Sequence, residues 1–95
     1  MEIKITDVKV GNKYMLVRTY SEACKDERLR GKVERFEVTI NWIEDRGDEY
    51  YFGYTSTIQN PWMPGYVCAF GNAGIKKVGQ YKCINIRIEE VQERR

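Results

Sequence analysis

The chain has 95 residues, of which 42% are hydrophobic and 32% charged, with 16 basic against 14 acidic side chains. This length predicts one folded domain over residues 1–95, and a net charge of only +2 is typical of neither an acidic nucleic-acid mimic nor a strongly basic nucleic-acid binder. The longest purely apolar run is the five residues of Tyr66 to Phe70, and the first residues alternate charged and apolar side chains. We therefore expect neither a membrane partner nor a secretory signal.

Alternation of apolar and polar residues with a period of two predicts a mostly-β protein. The first predicted strand lies in Met1 to Lys9 and the second is Tyr14 to Tyr20, which is rich in strand-forming residues. The segment near 21–30 fits either a short helix, with a serine N-cap and a glycine stop, or a long charged loop.

The clearest predicted strand is Val33 to Ile43, followed after a charged turn by Tyr50 to Ile58 as its hairpin partner. Four large apolar residues at strict spacing are expected to face the core from the first of these strands: Phe36, Val38, Ile40 and Trp42. Residues of the second strand, and one beyond it, are expected to pack against them: Tyr50, Phe52, Ile58 and Phe70.

The C-terminal part is predicted to hold a short strand at Tyr66 to Phe70 and a last strand at Tyr81 to Val91 with its isoleucines inward. Five or six short strands separated by turns predict a small antiparallel sheet rolled into an SH3-like or OB-like open barrel, an architecture that leaves few exposed strand edges.

Between these two strands lies the glycine-containing segment Gly71 to Val78, with the sequence GNAGIKKV. It resembles the Gly-x-x-Gly loop of KH domains, and that resemblance implies contact with single-stranded nucleic acid. KH domains place the loop between two helices, whereas a strand-like run precedes it here. A glycine-rich turn between strands is the alternative interpretation.

Three cysteines are present, at Cys24, Cys68 and Cys83, an odd number without close pairing. A small secreted domain more often carries an even set of paired cysteines, so the prediction is three reduced thiols in a cytoplasmic protein. Cys24, in a polar segment, is expected to be an incidental surface thiol, and the other two to be buried as small apolar residues.

The composition argues against most kinds of catalysis and metal binding. The chain contains no histidine, no Cys-x-x-Cys pair and no nucleophile motif. Four carboxylates between Glu44 and Glu49 lack the spacing of a calcium-binding loop and are interpreted as a solvated turn. We therefore predict a protein without enzymatic activity, cofactor or metal.

One stretch departs from the rest of the chain: from Tyr50 to Ile75 there is no charged residue, and more than half of the aromatic residues lie there. Part of it is expected to be core, but a loop between two prolines is expected to lie at the surface. Exposed aromatic and methionine side chains without charge are typical of interface centres. The predicted anchors of a protein-binding surface are Tyr51, Trp62, Met63 and Tyr66, and the alternative is a buried loop that closes a barrel end.

The leading hypothesis is a non-catalytic module that binds a protein partner, for example a small inhibitor or adaptor of the kind found in phages. The alternative is a small β-barrel that binds single-stranded nucleic acid by stacking bases on aromatic rings. Its phosphate-contacting residues are then Arg28, Arg30, Lys32, Arg35, Lys76, Lys77 and Lys82. An enzyme with a carboxylate-only mechanism is the third hypothesis.

Overall fold

The computed structural model describes residues 1–59 and 65–91, with the backbone alone at residues 58, 59, 66 and 67. The elements are β1 (Glu2–Ile3), a 3-10 turn (Ile5–Asp7), β2 (Lys13–Tyr20), β3 (Val33–Asp45), β4 (Glu49–Gln59), β5 (Tyr66–Lys76) and β6 (Ile84–Glu89). All strand pairs are antiparallel, and the sheet order is β1-β6-β2-β3-β4-β5. The sheet curls into a half-barrel, which confirms the predicted mostly-β fold.

The core lies on the concave face of this curled sheet. The period-two spacing read from the sequence aims apolar side chains of β2, β3, β4 and β6 at that face. Its centre consists of side chains with at most 1% exposure: Leu16, Val38, Ile40, Phe52 and Ile88. The 3-10 turn after β1 adds Ile5 and Val8 to this cluster. Within the described residues, no helix is long and apolar enough to cross a membrane.

A β-bulge in β3 changes which side chain reaches the core. Ile40 faces Tyr54 of β4, but Trp42 faces the next residue back, Gly53, so β3 carries one extra residue at this point. A bulge reverses the alternation beyond it. Ile43 therefore packs against the core, whereas Trp42 lies on the convex face and is 39% exposed. The prediction that Trp42 faces inward was wrong for this reason.

Strand β5 is longer than predicted, because the expected glycine-rich turn after Phe70 is part of the strand. Eleven consecutive residues of β5 pair with β4 without a break in register. Gly71 faces inward, where a Cβ atom would overlap the phenol ring of Tyr54. This glycine is thus required for close packing and not for a turn. The segment resembling a KH loop is strand as far as Lys76, and Phe70, predicted to be core, is 81% exposed.

The connection between β2 and β3 consists of turns, so the loop interpretation of residues 21–30 is correct and the helix interpretation is wrong. The backbone N–H of Cys24 donates to Ser21 O, and that of Leu29 to Asp26 O, each spanning a single turn. A segment with so few apolar residues has no face that a helix would bury.

A disulfide joins Cys24 to Cys83, whose Cα atoms are 4.7 Å apart. The prediction of three reduced thiols was therefore wrong. Pairing of Tyr20 with Ile84 brings the end of β2 beside the start of β6, and the two cysteines lie just outside that pair. Cys24 is buried, and the free Cys68 is exposed, which is the reverse of the predicted burial for both.

Candidate binding surface

The convex face of β4 and β5 carries a row of uncharged side chains. Register pairs alternate between the two faces, and Phe70 and Asn72 share the convex one with their β4 partners Thr55 and Gly53. We call this surface the aromatic face and define it by Trp42, Tyr51, Gly53, Thr55, Phe70 and Asn72. None of these six residues is charged, and Glu44, which faces Tyr51 across the β3–β4 ladder, bounds the face on the β3 side. The uncharged stretch of the sequence therefore contributes to this surface as well as to the core.

Two aromatic rings of this face hold each other in place. The ring centroids of Trp42 and Tyr51 are 5.9 Å apart at an interplanar angle of 43°. The indole lies over Gly53, where a Cβ atom would collide with it. The guanidinium of Arg46 lies 4.0 Å from the centroid of the Tyr51 ring, which is a cation–π contact. Because these contacts fix the rings before any partner arrives, docking against them costs little side-chain entropy.

Phe70 is the most exposed member of the aromatic face. It faces Thr55 across the ladder, and the hydroxyl of Thr55 accepts a hydrogen bond from the Asn41 amide at 2.7 Å. The phenyl ring is 81% exposed. Contact of this large apolar ring with water is unfavourable, and burial of the ring against a partner surface would be favourable.

Strand β5 also forms one edge of the sheet. Of the described strands, β4 alone pairs with it. The sheet brings the end of β5 near β6, and openings there are lined by Ile75 and Lys76 on one side and Ile86 and Arg87 on the other. Within the part of the chain that the structure describes, no strand other than β4 pairs with Cys68 to Asn72, and Asn72 lies at an opening whose opposite side carries Arg18, Ile84 and Ile86.

Tyr81, in the connection to β6, covers the convex face near the end of β5. Its hydroxyl donates a hydrogen bond to Glu49 and lies where a Cβ atom of Gly74 would come within 2.8 Å of it. Its backbone is held by two hydrogen bonds with the side chain of Asn85, at 2.8 and 2.9 Å. Burial, together with the hydrogen bond to the Glu49 carboxylate, raises the pKa of Tyr81 to about 12. This cluster bounds the aromatic face on one side.

A groove of about 700 Å³ lies between β2, β3, β4 and β5, and Arg18 is its main polar group. The guanidinium donates to the hydroxyls of Tyr20 (3.4 Å) and Tyr54 (3.2 Å) and to the Glu34 carboxylate (3.4 Å), and lies over the Phe36 ring. Burial lowers the pKa of Arg18, but the Tyr20 hydroxyl and the other neighbours outweigh burial and raise it above its ordinary value. The network ties β2 to β3 and β4, which is a structural role.

The charged turn between β3 and β4 is neutralised from β5. Lys77 donates to Asp45 at 2.7 Å and lies over the Tyr50 ring. This hydrogen bond lowers the pKa of the Asp45 carboxyl and raises that of Lys77. Arg46 pairs with Glu44 at 3.1 Å. Among the residues that the structure describes, no group of three or more side chains is placed to hold a metal ion.

The basic residues proposed for nucleic-acid contact fall into two separate groups and a single residue, Arg35, in β3. Arg28, Arg30, Lys32 and Lys82 lie in the connections near the disulfide, and Lys76 and Lys77 lie at the far end of β5. Several are engaged by acceptors of the chain: Arg28 by Asp26 (3.3 Å), Arg30 by Cys24 O (2.7 Å), Arg35 by Glu89 (2.6 Å) and Lys77 by Asp45 (2.7 Å). The described structure therefore does not gather them into one stripe.

Of the predicted protein-binding anchors, Tyr51 lies on the aromatic face. Tyr66 begins β5 opposite Gln59, with only its backbone described, and Trp62 and Met63 lie outside the described residues. The sequence prediction missed Trp42 and Phe70. The period-two spacing that places Phe70 on the same face as Cys68 and Asn72 could be read from the sequence. The bulge that exposes Trp42 could not.

Comparisons with protein-family models, with curated proteins and with solved structures found no match for this chain. A proposal about its function therefore depends on the chemistry of the aromatic face and of the β5 edge.

Proposed function

We propose that the protein is a non-catalytic binding module that engages a protein partner through the aromatic face. The observation that carries the proposal is the 81% exposure of Phe70 on an uncharged, well-paired strand. Interface centres are enriched in Trp, Tyr and Phe and depleted of Lys, Glu and Asp, and the aromatic face has this composition. The Trp42 and Tyr51 rings, which contact each other on the same face, supply the kind of rigid aromatic contact that dominates binding energy.

Charge favours a protein partner over nucleic acid. A nucleic-acid surface combines aromatic stacking with cations that reach the phosphates along the same track. Here the aromatic face carries no cation of its own, and Arg46 at its margin is already paired with Glu44. Arg18 and Arg35, which line the groove beside Phe70, are paired with Glu34 and Glu89. The groups Arg28–Lys32 and Lys76–Lys77 lie in different connections of the chain. Single-stranded nucleic acid remains the alternative that the experiment below separates.

The remaining predicted anchors extend the same proposal. Trp62, Met63 and Tyr66 belong to the uncharged stretch from which the aromatic face is built, and we keep them as proposed contact residues. An inhibitor or adaptor role follows from the small size and the lack of an assignable catalytic group. A cytoplasmic location stays a prediction, and the disulfide argues against it because such bonds are more common in oxidising compartments.

The test is partner capture by Phe70→Glu and by a matched control, Val78→Glu. Both side chains are highly exposed, 81% and 88%, so neither change disturbs the core, and only the first lies on the aromatic face. Wild-type protein is used to capture a partner from a lysate with and without nuclease, at low and high salt, and the captured protein is then titrated. We expect Phe70→Glu to weaken binding about 30-fold and Val78→Glu to leave it unchanged.

Two results would contradict the proposal. Equal affinity of the two variants would place the contact elsewhere on the molecule. Capture that disappears on nuclease treatment, with affinity falling steeply as salt rises, would establish the nucleic-acid alternative.

A further inference from the structure

The hydrogen-bond pattern of β4 shows which backbone groups of β5 point away from the sheet. Lys77 and Asp48 are the next facing residues beyond the last β4–β5 register pair, Glu49 with Lys76. The backbone N–H of Lys77 donates to Asp48 O at 3.0 Å, so this facing pair is a hydrogen-bonded one. On the other side of β4, Arg46 donates to Glu49 O at 2.9 Å, again between facing residues. Successive residues of a strand point their backbone N–H and C=O groups to opposite sides. Asp48 bonds towards β5 and its neighbour Glu49 bonds towards β3, as this rule requires. The odd-numbered residues of β5 therefore bond to β4, and the even-numbered residues point to the free edge.

Cys68, Phe70 and Asn72 are the even-numbered residues in the open part of this edge. Their N–H and C=O groups are directed away from β4, while their side chains lie on the convex face. The register with β4 is unbroken, and the strand has no proline and no charged residue before Lys76. Charges, prolines, bulges and short length are the usual protections of an edge strand against pairing. Strand β5 has none of them between residues 68 and 72.

We infer that two copies of this chain pair through their β5 edges, antiparallel, about a two-fold axis at Phe70. This arrangement faces Phe70 with Phe70 of the second copy, and Cys68 with its Asn72. Each of these facing pairs exchanges two backbone N–H···O bonds, because both members point their polar groups to the edge. Only even-numbered residues of β5 point their backbone polar groups to the edge, so hydrogen-bonded pairs between two copies must join even-numbered residues. The concave faces of the two copies then lie on the same side of the joined sheet.

A second copy suits this edge better than a foreign strand for two reasons. The two-fold axis brings an identical uncharged edge into contact, so no like charges face each other, and Lys76 lies beyond the paired segment. The axis also places two exposed phenyl rings side by side on the convex face, where a cross-strand aromatic pair is favourable. A register centred on Cys68 or Asn72 separates the rings.

The dimer uses the backbone edge of β5 and one side of the Phe70 ring, whereas the proposed protein contact uses the outward surface of the aromatic face. Pairing of two short edge segments buries less than the roughly 1,600 Å² of a standard interface, so we expect a dissociation constant on the order of 0.1 mM. In this dimer the two aromatic faces form one continuous surface of twice the width.

The register is tested by cross-linking of Asn72→Cys under mild oxidation, with Cys68 intact. Facing residues of a bonded pair have Cα atoms about 5.5 Å apart, within the range of a disulfide. We expect a covalent dimer held by Cys68 and the new cysteine of the second copy, identified by peptide mapping on protein whose Cys24–Cys83 bond is intact. Wild-type protein is expected not to cross-link, because its two Cys68 residues are then about 13 Å apart.

The matched control is Asn72→Cys combined with Cys68→Ser, which places the two introduced cysteines equally far apart, about 13 Å. Cross-linking of this control or of wild type to the same extent as the single variant would overturn the register. Absence of a cross-link in Asn72→Cys would overturn the dimer.

Cys68→Pro separates the dimer from the proposed function, because Cys68 is exposed and lies outside the aromatic face. It removes an N–H that points to the free edge, so the ladder with β4 remains complete, and proline is tolerated at such positions. We expect a rise of about tenfold in the dimer dissociation constant, measured by sedimentation, because two edge hydrogen bonds are lost by symmetry. Wild type that is monomeric at 1 mM, or a variant that dimerises like it, would contradict the inference. Partner capture is measured separately for wild type and for the proline variant, so that loss of the dimer and loss of partner binding can be told apart.

Discussion

The two edges of the sheet are built differently. Strand β1 forms one edge with only two residues, Glu2–Ile3, and then passes into a 3-10 turn. Strand β5 forms the other with eleven residues that carry no charge before Lys76. A short edge with a charged residue offers little to a foreign strand, whereas a long uncharged edge offers a complete row of polar backbone groups.

The side of the sheet around β6 also carries a covalent cross-link and ion pairs. The Cys24–Cys83 disulfide lies at the start of β6, and Glu89 near its end accepts from Arg87 at 2.8 Å and from Arg35 at 2.6 Å. Hydrogen bonds from these arginines, that from Arg87 above all, lower the pKa of Glu89 despite the opposing effect of desolvation. The β5 side depends on β4 and on the Tyr81 cluster. The covalent cross-link thus lies on the β6 side, and the long unpaired strand edge lies on the β5 side.

The largest expected effect comes from removing the disulfide. It closes a loop of 59 residues, and its loss in Cys24→Ser/Cys83→Ser should lower the free energy of unfolding by about 2–4 kcal/mol. Urea unfolding monitored by circular dichroism measures this change. The control is Cys68→Ser, because Cys68 is exposed and unpaired. Equal stability of the double variant and the control would show that the β6 side does not depend on this bond.

Packing of β5 on the core is tested by Gly71→Ala. The added methyl group would overlap the buried Tyr54 ring, so we expect a loss of about 1–3 kcal/mol in the free energy of unfolding. Gly53→Ala is the matched variant on the convex face, where the added methyl group would displace the Trp42 indole from its contact with Tyr51, and the indole, unlike the buried Tyr54 ring, has solvent to move into. Its expected cost is under about 1 kcal/mol. The same denaturant measurement serves both, and the reverse order would mean that the two faces are wrongly assigned.

The smallest expected effect is the alkaline response of the Tyr81 cluster. The folded-state pKa of about 12 exceeds the value of about 10 expected in the unfolded chain. The stability contributed by neutral Tyr81 is therefore complete below pH 10 and is lost as the pH rises from about 10 to 12. Ultraviolet absorbance of tyrosinate follows the titration, and denaturant unfolding across that range follows stability. In Tyr81→Phe this contribution should be absent, and an unchanged pH dependence would contradict the assignment.

The fold class and the central hairpin were predictable from the sequence because period-two spacing is a local signal. The alternation from Phe36 to Ile40 correctly predicted the concave face of β3. It failed at Trp42, because a bulge depends on the partner strand. It failed again at Gly71, where the glycine matches the Tyr54 ring and does not mark a turn. Sequence alone shows a glycine but not what packs against it.

The part of the chain that forms the candidate surface was predictable from the sequence, but the individual residues exposed on that surface were not. The uncharged stretch identified the right part of the chain, and Tyr51 lies on the aromatic face. Whether a side chain such as that of Phe70 is core or surface depends on the register between β4 and β5, which the sequence does not encode locally. The disulfide was missed for a related reason, since its cysteines are 59 residues apart and meet only through the β2–β6 pairing.

The free edge of β5 is probed by amide hydrogen exchange along the strand, measured by nuclear magnetic resonance at low and high protein concentration. At low concentration we expect slow exchange at Ala69, Gly71 and Ala73, which bond to β4, and fast exchange at Cys68, Phe70 and Asn72. At high concentration the second set should become protected as the edges pair. Uniform protection along the strand at low concentration would contradict the open edge, and fast exchange of the second set at every concentration would contradict the dimer.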